Sequence, residues 1–520
     1  MKTRRLIIGI VVLIVAGAAA FAGVSMTESK VENSVREALG SAGASCGAVR
    51  YRLLSNELTL EDVTHVMTIM GVETSTKIRR VVVNDPDEKA LDPATPGRPR
   101  VASRITARDI FQKSVSDDPD IPASDGFIEE IIIEDWHQNL GRIVEAYEKD
   151  PSSERFFEAL LDVSCSRIAY RGYKGRSAKD GLAAGFTIAR VVSSIRDATL
   201  SSLVEDISFS GNLQGGISRT GIDNLRLPSA RLLALLADVT RRVEKNPAYV
   251  PGPAEEAIRD KLSWDYLCST LYDKLWFENV DFSLQLPGDK SPTRLFSLKR
   301  FENALALGGP VRFDMRIEDL FVPGGFLPLL RKAGVQPLGV RDLFLNADLR
   351  LVFADSGTST LGLDADVRDF GSVAGNLTCR TTAGSGEAES FMQDPQAWGM
   401  NWASRTVFEK GAFSYADKGL LPRLVQQAAQ ESGLPPSALL PMLKGGALNA
   451  ANAVPVAGLP EALTTMLDRP GTLTVEMNPA APLPLGGLAM RFMLDPASLG
   501  LRASAEPGSK SLLEALPAGK

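Results

Sequence analysis

The sequence predicts an α+β protein with β-rich antiparallel meander sheets and interspersed amphipathic helices, preceded by one N-terminal transmembrane or signal helix. Three observations carry this. Stretches such as LFLNADLRLVF, residues 343–353, alternate apolar and polar residues with period two, the mark of a strand with one wet face. Others, such as SARLLALLADVTRRVEK at 229–245, repeat at helical spacing. The chain also opens with a basic flank and a long uncharged apolar run.

With 520 residues, 44% hydrophobic and 23% charged, the chain has the composition of a folded protein. Its texture divides into residues 1–25 as membrane anchor or signal peptide, 26–255 as a first α+β region, 256–400 as an antiparallel β-rich region, and 401–520 as a C-terminal α+β region. The net charge of -6, with Lys and Arg scattered among the acids, offers no basic stripe for a phosphate backbone and excludes nucleic acid as the expected partner.

Lys2, Arg4 and Arg5 precede Leu6 to Val24, an uncharged run of 19 residues. As a helix it would rise roughly 29 Å, about one hydrocarbon core. The basic flank biases the N-terminus to the cytosol, so the rest of the chain is expected on the far side of the membrane. Ala20-Phe21-Ala22 also fits a cleavage site, which keeps a removed signal peptide open beside a retained anchor.

After this run, Val31, Val35 and Leu39 share one helical face that reads as a stalk helix stopping at Gly40. Val49, Tyr51 and Leu53, then Leu58, Leu60 and Val63, read as a hairpin turning at Ser55-Asn56. Four prolines in residues 84–100 make a loop. Ile128 to Trp136 is strand-like, and two short helices broken at Pro151 follow it. CGAVRY at Cys46 and CSRIAY at Cys165 echo each other, as an internal duplication would. Cys46, Cys165, Cys268 and Cys379 show no CxxC pair and no zinc-type clustering; they read as small buried side chains, with their pairing left open.

A four-residue phrase recurs: LEDV at Leu60–Val63, VEDI at Val204–Ile207, FENV at Phe277–Val280 and IEDL at Ile317–Leu320. Two polar residues between apolar ones are expected to finish or bend a strand, with the acids facing solvent or an edge. A calcium reading lacks the closely spaced, carbonyl-rich loop that calcium prefers.

The clearest strands lie between residues 311 and 367. Phe313, Met315 and Ile317 alternate in the first; Leu345, Leu349 and Leu351 in the second; Leu361 and Leu363 in the third, which follows the turn ADSGTST. These eight residues are the candidate ligand groove, with helices such as 229–245 as its cover. The tail predicts a strand, a turn at Asp417-Lys418-Gly419, a helix with Leu420, Leu424 and Ala428 as its packing stripe, a second helix after Gly433–Pro436, and a strand at Leu473–Met477. The last dozen residues are expected to fray.

No catalytic residue, metal ligand or cofactor is assigned. His65 and His137 are the two histidines, each expected at the surface or in a local hydrogen bond, and no HExxH, G-x-S-x-G, P-loop or G-x-G-x-x-G motif occurs. The expectation is a non-enzyme.

The basic N-terminus, one span, a small helix and the YRLLSNELTLEDV hairpin together resemble the start of AsmA-like proteins, which are inner-membrane-anchored periplasmic proteins of Gram-negative bacteria. The later segments GPVRF, FADSGTSTLGLDADV, FSYADKGLLPRLVQQAA and PGTLTVEMNPAAPLPL look like a poorly characterised branch. The resemblance implies a single-pass inner-membrane protein, its bulk in the periplasm, holding lipid in a β groove. The residues themselves leave three readings: a lipid or hydrophobic-ligand handler, a structural or assembly scaffold of the envelope, and an envelope enzyme. The first is the expectation adopted, with protein partners unassigned.

Overall fold

The computed structural model describes residues 28–516 apart from 42, 70–71, 117–122, 180–181, 247–251, 253–271, 286–290, 307–310, 325–341, 355–356, 383–394 and 455. The N-terminal run and Cys268 fall outside the described residues. Antiparallel strands and interspersed helices dominate, as the alternating patterns predict. Two compact units emerge, Met1–Leu275 with Phe282–Thr293, and Trp276–Asp281 with Arg294–Lys520.

The first unit begins with helix α1 (Glu28–Ser41) and strands β1 (Ala44–Ser45), β2 (Ala48–Arg52), β3 (Glu57–Ile69), β4 (Val72–Asn84), β5 (Arg100–Ser116) and β6 (Ser124–Gln138). Helices α2 (Leu140–Lys149) and α3 (Glu154–Leu161) follow, then β7 (Val163–Lys179), β8 (Leu182–Arg196), β9 (Thr199–Ser210), β10 (Leu213–Arg226) and helix α4 (Ala230–Lys245). From β2 to β10 each strand pairs antiparallel with the next, an uninterrupted meander. The side chains of Asn139, Ser153 and Ser229 cap α2, α3 and α4 by accepting a backbone N–H three residues on.

The helix read as a stalk is instead part of the core. Val31, Val35 and Leu39 join one apolar cluster with Leu60, Val63, Ile78, Ile110 and Ile128 of the sheet and Leu140 of α2. Glu32 Oε1 accepts the N–H of Tyr51, and Glu28 Oε1 that of Leu53, each at 3.0 Å. Acids one helical turn apart thus match the N–H groups of Tyr51 in β2 and of Leu53 just beyond it, an edge that would otherwise stay open to another strand.

The recurring phrase has a single backbone cause. Asp62, Asp206, Asn279 and Asp319, its third residue in every copy, are left-handed, with φ of 51°, 52°, 50° and 49°. Asn and Asp tolerate this conformation because their short side chains bond locally; most L residues do not. In an unbroken strand, residues i and i+3 point to opposite faces. Here both apolar ends of the phrase face inward: Leu60 and Val63 are both buried. The phrase therefore sits in mid-strand and does not finish it, because the left-handed residue resets the pleat by half a period.

The registers reveal copies that spelling alone hides. Across β3 to β10 the ladders share one transverse line of interrupted pairing, where Asp62 falls opposite Arg79, Arg79 opposite Asp109, Asp109 opposite Glu129, and Glu129 opposite Gly172. The line continues through Ala189 and Asp206 to Ser218. Asp109 at φ 53° and Gly172 at φ 62° occupy the third position in ARDI and YRGY. The intervening strands bring the same pattern in reverse direction: Ile78 and Val81 flank two arginines, Ile128 and Ile131 flank two glutamates, and all four apolar residues are buried. The interruption thus runs at the same height from β3 to β10, marked on alternate strands by the left-handed Asp62, Asp109, Gly172 and Asp206.

The second unit contains β12 (Thr293–Ala306), β13 (Val311–Pro323), β14 (Asp342–Phe353), β15 (Gly357–Val367) and β16 (Gly371–Thr381); β11 (Lys274–Leu284) is divided between the units. Then come α5 (Pro395–Arg405), β17 (Thr406–Asp417), α6 (Leu420–Ser432), α7 (Pro436–Asn452), α8 (Leu459–Asp468), β18 (Thr472–Met477), β19 (Leu483–Pro484), α9 (Leu488–Leu494) and β20 (Leu501–Glu506). Strands β12 to β18 pair antiparallel in order, β20 adds to β18, and β19 adds to β17.

Two details differ from expectation. The packing stripe of α6 is rotated by one residue, since Val425 and Ala429 are buried and Leu424 is exposed. The tail does not fray throughout: Leu512 is fully buried with Val425 of α6 and Leu440 of α7. Leu512, with Leu516 packed beside it, supplies the burial that holds this end down.

Candidate functional site: an open apolar sheet face

All eight predicted groove residues fall on one face of the second unit, in register. Phe313 pairs with Leu351 and Leu351 with Leu361; Met315 pairs with Leu349 and Leu349 with Leu363. Ile317 pairs with Ala347, and Leu345 pairs with Leu320 on one side and Val367 on the other. The slip of one residue between Ile317 and Leu320, at the left-handed Asp319, keeps Leu320 on the same face as Ile317.

The pairings also enlarge the face beyond the residues that alternation singled out. Leu305 and Phe301 extend it on β12; Leu377 and Val373 extend it on β16; Phe413 and Tyr415 extend it on β17. Gly375 lies between Leu363 and Phe413 in the ladder, and the Phe413 ring leans to within 3.9 Å of where its side chain would be. Leu377 belongs to the glycosylation-like triplet Asn376-Leu377-Thr378, which sits inside strand β16.

Burial separates this face from the core of the first unit. Val63, Ile78, Ile110 and Ile128 are almost wholly buried under helices, whereas none of the eight groove residues is buried and Leu363 is 37% exposed. Helix α4, suggested as a cover, packs against α3 in the first unit. At one end of the face Tyr415 donates its hydroxyl to Asp417 at 2.7 Å. Burial, reinforced by that carboxylate, holds the phenol far above its usual pKa, so it stays neutral.

The opposite face is ionic. Arg316 pairs with Glu318 at 2.7 Å, Arg350 with Asp314 at 3.1 Å, and Lys418 with Asp366. A polar cavity of about 460 Å³ opens there, lined by Lys299, Glu318, Asp319, Asp348 and Asp364 among others. Among the described residues, no cluster of His, Cys, Asp and Glu is arranged to hold a metal ion.

The other sequence candidates disperse. His65, expected at the surface or in a local hydrogen bond, is buried on the inner face of β3, because the reset after Asp62 turns it inward with Val63. His137 is half-buried on β6. Cys46, Cys165 and Cys379 carry free thiols, and burial pushes Cys165 up to about 12 and Cys379 up to about 11. No helix among the described residues is long and apolar enough to cross a membrane.

A family model described as an uncharacterized protein matches residues 364–506, from β15 through the end of β20. No curated protein matches the chain.

Proposed function

We propose that this chain is a membrane-anchored protein of the bacterial envelope, AsmA-like in character, that holds lipid or another hydrophobic ligand on the apolar face of β13, β14 and β15. Its anchor is the run Leu6–Val24, which places the bulk in the periplasm on the inner-membrane side. The observation that carries the reading is the contrast in burial. A sheet whose apolar face serves only as a core is closed by a second layer, as in the first unit. The groove residues keep part of their surface open across three strands in register. A continuous apolar floor with an ionic reverse side suits acyl chains, which need area and no specific hydrogen bond.

The alternative is a non-enzymatic scaffold, for which the same face would receive a protein segment. Organic extraction of residues 28–520, purified without detergent from a bacterial envelope, separates the two. Stoichiometric phospholipid in the extract, lost in Leu363→Glu, is the expected result. A clean extract from folded protein would favour the scaffold.

A further inference from the structure

We propose that α9 is a second membrane contact, a short apolar tip that enters the lipid–water interface of a bilayer. Four large apolar side chains stand out within five residues: Met490 is 63% exposed, Phe492 51%, Met493 74% and Leu494 77%. Such a concentration on a monomer marks a contact surface. The segment is not a loose end. Leu483, before it, is buried where β19 joins β17, and Leu499, after it, is buried in the 3-10 turn Pro496–Leu499. The N–H of Asp495 donates to the carbonyl of Arg491 at 2.7 Å, closing the helix. The chain is clamped on both sides and projects in between.

The arrangement on the helix identifies the occupant. At 3.6 residues per turn, residues 490, 492, 493 and 494 cover an arc of about 200°. A groove on a protein takes a narrower stripe, of about 100°. A bilayer interface accepts apolar groups on several sides at once. Arg491 lies on the opposite side of the helix from the arc and is the sole charge between Met477 and Leu494. With the apolar side in the interface, the guanidinium faces the headgroups, where it can bond lipid phosphate. This inference rests on the reading of Leu6–Val24 as a membrane anchor.

The native methionines supply the test, because oxidation of methionine follows its exposure to water. The full chain is reconstituted in vesicles of phosphatidylethanolamine and phosphatidylglycerol. A water-soluble oxidant is applied on both sides, and each methionine is followed by peptide mass spectrometry. Met442 on α7, 64% exposed, is the internal reference. Met490 and Met493 are expected to oxidise about tenfold more slowly than Met442, and Phe492→Glu with Leu494→Glu to return Met493 to the Met442 rate. Equal rates in the unaltered chain would overturn the tip. Protection that follows the protein-to-lipid ratio would assign the face to a second copy and also overturn it. Retention of the chain on the vesicles through an alkaline wash reports the anchor separately, so a tip that fails on a retained chain leaves the anchor standing.

Discussion

The backbone N–H of Asp319 donates to Oδ1 of Asn346 at 2.7 Å, across β13 and β14, where their ladder slips by one residue. The left-handed Asp319 turns its N–H out of the regular ladder, and the Asn346 side chain replaces the missing strand partner. Asn346→Leu is expected to cost about 1 kcal/mol, the net worth of one such bond at a surface position. Urea unfolding measures it, and an unchanged midpoint would show that water substitutes fully.

The same backbone argument ranks substitutions at Asp62, Asp206 and Asp319. Glycine adopts φ near 50° freely, whereas a β-branched residue does not. Asp206→Val is expected to cost about 1–2 kcal/mol and Asp206→Gly almost nothing. If both lost equal stability in urea, the carboxylate and not the conformation would explain the phrase.

Glu28 and Glu32 guard the edge of β2. Replacing both by alanine is expected to cost about 1–2 kcal/mol and to promote self-association through the freed strand edge. Light scattering against concentration reads the second effect; a variant that stays monomeric would mean that the edge is covered by other means.

Stability should fall on the alkaline side. Burial pushes both Cys165 and Tyr170 up to about 12 in the folded chain, from 9.0 and 10.0. The unfolded chain therefore releases these protons first, and between about pH 9 and about pH 12 folding is progressively penalised. The urea midpoint is expected to drop across this window, and Cys165→Ala to flatten its lower part. In native protein near neutral pH, a disulfide reagent should modify Cys165 and Cys379 only after unfolding, since a buried protonated thiol is a poor nucleophile.

The alternation of LFLNADLRLVF and LGLDADV specified both a hairpin and a shared face, because period two maps directly onto the two sides of a strand. The bend line was only partly legible. LEDV, VEDI, FENV and IEDL share spelling, whereas ARDI and YRGY share only what the backbone needs, an Asp or Gly able to take positive φ. Their equivalence emerges from register, a relation between strands that no single segment contains. The buried Leu512 was missed for a similar reason: a short apolar run near a terminus has no burial of its own until α6 and α7 provide a surface. The openness of the groove lay equally beyond local pattern, since a closed sandwich and an open face share the same alternation.

Photo-cross-linking tests the central claim most directly. The full chain in its native membrane is exposed to a phospholipid carrying a photoactivatable acyl chain, and adducts are mapped by residue. The account predicts adducts on the apolar face, at Phe313, Met315, Leu349, Leu351, Leu361 and Leu363, and their loss in Leu363→Glu with the urea midpoint nearly unchanged, because that side chain is already part-exposed. Adducts confined to the N-terminal run, or spread equally over Arg312, Asp348 and Asp364 of the ionic face, would contradict it.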